Sequence, residues 1–226
     1  PLIQFHGYKT CGVWNSAEEI AANPHFSDDA PGGIRIVDTN NDGSLTPEDR
    51  VALGTPYPDF TWGITNTFQI KDFDISFLIQ GVQGITVLNG DVYYNETKKW
   101  NKKYTKNRWV SAEHPGDGKT PYQNVKTGHD LMLTDYPLQN ASYACLRNFT
   151  VGYTLPATAA RKIKLSGVRF YVSGSNLLYI WGSGYKGINP ESRMTSGNYS
   201  SAMISGYQRG GFPLTSTISA GFDINF

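Results

Sequence analysis

The sequence is poor in charge. Only 17% of its residues are Asp, Glu, Lys or Arg and the formal net charge is +1, so it carries no electrostatic footprint for nucleic acid. It has two cysteines, Cys11 and Cys145, too few for a disulfide framework. They could pair in an oxidising compartment, but isolated small core residues are the simpler reading. Four histidines, His6, His25, His114 and His129, are scattered without metal-ligand spacing. No stretch approaches the ~20 apolar residues of a membrane helix, and no signal peptide opens the chain. The first residue is Pro1 rather than Met, so the chain reads as a fragment or processed piece and the missing leader says little about location. Catalytic patterns are also lacking: there is no nucleophile elbow, no zinc-ligand spacing and no phosphate-cradling glycine loop. A non-enzymatic role is expected.

Helix signals are sparse. "NSAEEIAANP" (15–24) has a cap, early acids and a closing proline; "TPEDRVAL" (46–53) and "LPATAARKI" (155–163) are weaker candidates. Alternation dominates the rest. In "STISAGFDINF", Ile218, Ala220, Phe222, Ile224 and Phe226 share one face, while Thr217, Ser219, Gly221, Asp223 and Asn225 share the other. "DFDISFLIQG", "FTWGITNTFQI", "LRNFTVGYTL" and "GVRFYVSGSNL" repeat the pattern. Strands of roughly 9–11 residues exceed the usual length in globular proteins but suit a tilted crossing of a bilayer. The connections alternate as well. Lys71–Asp72 is very short and 156–167 moderate, whereas about 81–144 and 179–214 are long, as expected for periplasmic turns and extracellular loops. The fold expected is all-β: a partial transmembrane β-barrel with long extracellular loops. Residues 1–58 would form an extracellular loop region and 59–226 the barrel strands and their loops.

Two loop features invite chemistry. "VDTNNDGSLTPEDR" (37–50) places Asp38, Asn40, Asp42 and Ser44 at every second position, with Gly43 at the bend and Asp49 closing the set. That is the ligand ladder of a Ca²⁺ loop, although an Asn/Asp/Gly turn has the same composition. No helices flank it, so Ca²⁺ would fasten a loop rather than signal. The long loops are rich in aromatics. Trp100, Trp109, Trp181 and Tyr185 could stack on sugar rings, and loop packing or a protein interface would use the same residues. Phe226 ends an amphipathic strand, as in the assembly signal of outer-membrane barrels.

"GYKTCGVWNSAEEI", "PGGIRIVDTNNDGSLTPEDRVALGTPYPDFTWGITNTF", "DFDISFLIQGVQG", "YACLRNFTVGYTLP", "VRFYVSGSNLLYI" and "PLTSTISAGFDINF" follow in series. Together they resemble the C-terminal portion of SusC-like TonB-dependent outer-membrane transporters. The resemblance implies the last five or so antiparallel strands of a barrel of about 22 strands with a plugged lumen. It further implies import of oligosaccharides or peptides under a SusD-like lipoprotein lid, with TonB acting through parts absent from this chain. The partners implied are the rest of the same barrel and its plug, the lipoprotein, the TonB complex, substrate and membrane lipid. A secreted, calcium-stabilised, carbohydrate-binding β-sandwich is the alternative, and an adhesin without a plug a third class.

Overall fold

The computed structural model describes residues 3–92, 107–123, 127–182, 184–192 and 206–226. Four short strands come first: β1 (Phe5–Gly7), β2 (Thr10–Val13), β3 (Ile34–Ile36) and β4 (Val51–Gly54). β1 pairs with β4, and β2 with β3. β5 (Phe60–Ile70) and β6 (Phe73–Gln83) then open a large sheet. β7 (Thr86–Asn89) and β8 (Leu138–Asn140) lie in a small one. β9 (Tyr143–Thr154) and β10 (Gly167–Trp181) return to the large sheet, β11 (Tyr207–Gln208) joins β7, and β12 (Thr217–Asn225) lies beside β10. The large sheet has the order β12-β10-β9-β6-β5 and is antiparallel throughout. It is a meander of the five segments whose alternation predicts strands, β10 being longest at 15 residues.

Residues opposite one another on paired strands share a face, so the register shows what each face is made of. Phe68, Ile75, Val151, Val172 and Ala220 form one row across all five strands. The adjacent row on the other face is Thr67, Ser76, Thr150, Ser173 and Ser219, hydroxyl-bearing at every position. The apolar face is bare: Ile64, Val172 and Phe222 are 51%, 52% and 64% exposed. In a sandwich a second sheet would cover that face; among the described residues none does, and the sandwich reading falls on this point.

The ladder is broken at one level. On β9, Asn148 faces Leu78 but the next partner of β6, Ile79, faces Leu146, leaving Arg147 unpaired in the ladder. On β10, Ser175 faces Asn148 and Leu178 faces Leu146, so Asn176 and Leu177 together stand opposite the single Arg147. Asn176 is accordingly held at φ 55. Without this bulge the alternation would place Arg147 on the apolar face with Phe149 and Val151. The bulge instead leaves Leu146 in the apolar row with Ile64, Ile79 and Leu178 and releases Arg147 to the polar side.

Turns fall as the sequence suggests. Lys71, at φ 56, and Asp72 join β5 to β6. The helix Ala157–Lys162 lies in the connection at the same end of the sheet. The helix Ala17–Ala21 starts where expected, with Ser16 Oγ accepting from Glu19 N at 3.2 Å. The "TPEDRVAL" helix is corrected to a single 3₁₀ turn, Pro47–Asp49, followed by strand β4. Arg50 is already extended (φ −74, ψ 133), and Val51 pairs with Gly7. Cys11 is exposed, Cys145 is buried, and both thiols are free.

The long connections fold together. One core contains Tyr8, Val13, Ile34, Ile36, Trp109 and Leu131; a second contains Ile85, Val87, Ala141 and Tyr185. The first therefore joins residues before 58 with residues after 84. The division at 58/59 marks where the large sheet begins but cuts through a shared core. Contacts a hundred residues apart make that core, and no local pattern announces them.

A five-strand apolar face of this size is intolerable in water. The isolated chain should remain dispersed in detergent and aggregate when detergent is removed, which size-exclusion chromatography in the two buffers would show. A monodisperse, folded monomer in plain buffer would contradict the assignment of that face.

Candidate functional site

The polar face of the sheet carries two ion clusters. Nearer the short turns, Arg169 on β10 donates from Nε and Nη2 to Asp74 Oδ1 and Oδ2 on β6, at 3.0 and 2.6 Å. Its Nη1 reaches Asp223 Oδ2 on β12 at 3.4 Å. β9 lies between Arg169 and Asp74, and its residue there is Gly152. A Cβ at Gly152 would clash with both Asp74 Oδ1 and the Arg169 guanidinium, so only glycine lets the pair close above it. Farther along the same face, Arg147 donates to Asn176 Oδ1 at 2.7 Å and the Tyr179 hydroxyl at 2.8 Å. It is also ion-paired with Glu191, from the stretch after β10. Aromatic rings continue from this point: Tyr143–Tyr179, Tyr179–Trp181 and Trp181–Tyr185, with centroids 6.0, 6.4 and 6.1 Å apart.

The expected sugar platforms separate on this geometry. Trp109 is only 8% exposed. Its ring packs edge-on to Tyr122, Gly32 lies against it, and Nε1 donates to Asn15 Oδ1 at 3.2 Å. It is a core residue of the loop assembly, and no sugar ring can lie on it. Tyr185 is likewise buried, its hydroxyl donating to Gln208 Oε1 at 2.7 Å. Both are corrected from platform to packing. Trp181, 37% exposed at the end of β10, keeps an accessible ring. Trp100 lies outside the described residues. Sequence reasoning passes over Arg147, Asn176 and Tyr179 as a group, because only the double bulge brings them together.

The acidic loop is a set of nested turns. Asp38 accepts from Asn41 N at 2.7 Å and Gly43 N at 2.9 Å, Asn40 Oδ1 from Asp42 N at 3.0 Å, and Asp42 Oδ1 from Ser44 N at 2.8 Å. Gly43 takes the left-handed conformation of the bend, φ 84. Asp49 behaves differently from the closing ligand its spacing suggests. It is fully buried, and it accepts from Thr39 N and Thr46 N, each at 2.8 Å. It also caps the 3₁₀ turn. Among the described residues no three His, Cys, Asp or Glu side chains converge on a point. The oxygens of Asp38, Asn40 and Asp42 retain lone pairs that suit a hard cation, and Asp49 serves as the buried clamp beneath them.

Burial raises the pKa of Asp49, but the N–H groups of Thr46, Thr39 and Asn40 and the Thr39 hydroxyl more than offset it, holding the carboxyl below its ordinary value. Because the folded value is the depressed one, this clamp is intact above the unfolded pKa and weakens as pH falls through the folded one.

No family model matches the chain. It is 31% identical over 98% of its length to TonB-dependent receptor P26 of Formosa agariphila. It is 27% identical over 69% of its length to TonB-dependent receptor SusC of Bacteroides thetaiotaomicron. The chain is a segment of a SusC-like TonB-dependent receptor. It spans 22% and 15% of those two relatives. The structure of the RagAB peptide transporter superposes on 99% of it with a TM-score of 0.71 at 18% identity, using 22% of that chain. This shared fold agrees with a sheet cut from a larger wall. The receptor segment belongs to the bacterial outer membrane, and its relatives are named as receptors, none as an enzyme.

Replacing Asp49 by Asn should remove charge-assisted hydrogen bonds worth about 2 kcal/mol. Amide exchange at Thr39 and Thr46 in the full-length receptor should accelerate accordingly, and the unsubstituted loop should show the same loosening in acid.

Proposed function

We propose that this segment forms part of the wall and extracellular surface of an importer for nutrient oligomers. The substrates are oligosaccharides or peptides, taken up with TonB-derived energy and with a SusD-like lipoprotein as the outer partner. The observation that carries the reading is the sheet itself: five long strands, one face apolar and bare, the other hydroxyl-lined and crossed by ion pairs. Lipid suits the first face and a wet lumen the second. The two edge strands pair with strands of the same barrel outside this chain. Phe226, 94% exposed beyond β12, is read as the assembly signal. Stacking on a passing sugar or peptide side chain is assigned to Trp181, a reading supported by its 37% exposure.

Deleting the full-length receptor should abolish growth on one class of oligomer while leaving growth on its monomer intact. Trp181→Ala should lower uptake of that oligomer several-fold. Unimpaired growth on every oligosaccharide and peptide tried would remove the importer reading.

The acidic loop is proposed to hold a structural Ca²⁺ through Asp38, Asn40 and Asp42. Calcium should slow amide exchange in residues 38–49, and the double substitution Asp38→Ala, Asp42→Ala should erase the difference between calcium and chelator. Equal exchange under both conditions in the unsubstituted receptor would refute the site.

A further inference from the structure

Wall-building alone does not call for the arrangement around Arg147. Two adjacent strands break their ladder at the same level, and a non-glycine residue, Asn176, is held in the left-handed region. The result is a guanidinium, an amide oxygen and a phenol gathered at one place on the polar face. Behind them lies Gln80; with its amide assigned so that the oxygen rather than the nitrogen faces Arg147, as the surrounding donors require, it accepts from Nη2 at 2.6 Å and Nε at 3.1 Å. Nη1 donates to Asn176 and Tyr179. The guanidinium is thereby fixed in orientation with its fork directed away from the sheet on the polar side.

The fork holds a carboxylate, and no wall strand supplies it. It comes from Glu191 in the stretch 184–192. Arg147 Nη2 donates to Oε1, Nη1 reaches Oε2 at 3.4 Å, and the Tyr179 hydroxyl donates to Oε1 at 3.3 Å. The paired side chains keep 22% and 27% of their surface exposed, so solvent reaches the contact. The stretch has separate moorings: Tyr185 to Gln208 at 2.7 Å, and Lys186 N to Gln139 Oε1 at 2.9 Å. Glu191 can therefore leave the fork without the stretch coming away.

We propose that Arg147, Asn176 and Tyr179 form a recognition site for the carboxylates of acidic oligomers, held closed by Glu191 acting as an internal ligand. Bidentate geometry with a phenol donor is selective for carboxylate. Exchange of one carboxylate for another leaves the guanidinium paired throughout, whereas a neutral ligand would have to strand it. An anionic chain can therefore open the contact and a neutral one cannot. The rings of Tyr179 and Trp181 beside it offer apolar surface for the body of such a chain. The inference rests on the importer reading for the arrival of oligomers at this face.

The test uses the full-length receptor in detergent, with hexaglutamate and hexagalacturonate as acidic probes and hexaglutamine and maltohexaose as neutral ones. Calorimetry should show at least one acidic probe binding, and E191Q should bind it about tenfold more tightly because the internal competitor is gone. R147M should lose that binding, and R147K, which keeps the charge but not the fork, should lose most of it. Neutral probes should respond to none of the three. The acidic probe and E191Q should each speed amide exchange at Glu191 and Ser192, which a purely structural pair would not do on adding ligand. The peptide and uronate arms identify which kind of carboxylate is taken. Equal affinity of wild type and E191Q for both acidic probes, undiminished binding by R147M, or no acidic binding by any form overturns the proposal. Intact uptake of neutral oligomers in that case leaves the importer reading standing; acidic binding without uptake of any oligomer would instead remove the importer reading alone.

Discussion

The backbone ladder from β5 to β12 is the constraint on which the rest depends. In hydrocarbon an unpaired peptide group costs several kcal/mol, so each strand must pair along its whole span and show lipid only side chains that tolerate it. The alternation in the five strands follows from that demand, interrupted at Asn66 on β5 and at the bulge beside Arg147. It also makes the sheet incomplete by itself, because among the described residues β5 and β12 each pair on one side only. A barrel resolves both edges at once by closing, which is why a bare sheet with this face composition belongs inside a larger molecule.

The same constraint explains the irregularity at Arg147. A guanidinium in the apolar row would face lipid, at a cost that grows toward the bilayer midplane. The bulge resets the phase so that Leu146 takes the lipid-side position and Arg147 turns inward. One departure from regular pairing thus preserves the apolar face and equips the polar one. The loops obey a different logic. Outside the membrane they build cores of their own, and Trp109 is spent on that packing rather than on ligand.

Much of the wall was legible from the chain because period-two patterning is local and repeated. The strand edges at Phe60, Phe73 and Thr217 could be placed from alternation, and the Lys71–Asp72 turn from the gap between two patterns. The loop assembly was not legible in the same way. Trp109 looks like a binding residue in sequence because its burial depends on Gly32, Asn15 and Tyr122, which are distant in the chain. Asp49 reads as a metal ligand by spacing, yet the amides of Thr39 and Thr46 claim its oxygens. The Arg147 group was hidden for a third reason: two bulges in neighbouring strands create it, and neither leaves a signature beyond one arginine within an alternating run.

Gly152 has a consequence for how such a wall finds its pairing. Alternation distinguishes odd slips from even ones, since a one-residue shift turns every side chain over. A two-residue slip keeps every apolar group facing out and would pass that check. It would, however, carry Asp74 about 7 Å along its strand, away from Arg169 and from the gap that the missing Cβ provides. The ion pair over Gly152 thus works as a gauge, rejecting the misalignments to which the hydrophobic pattern is blind.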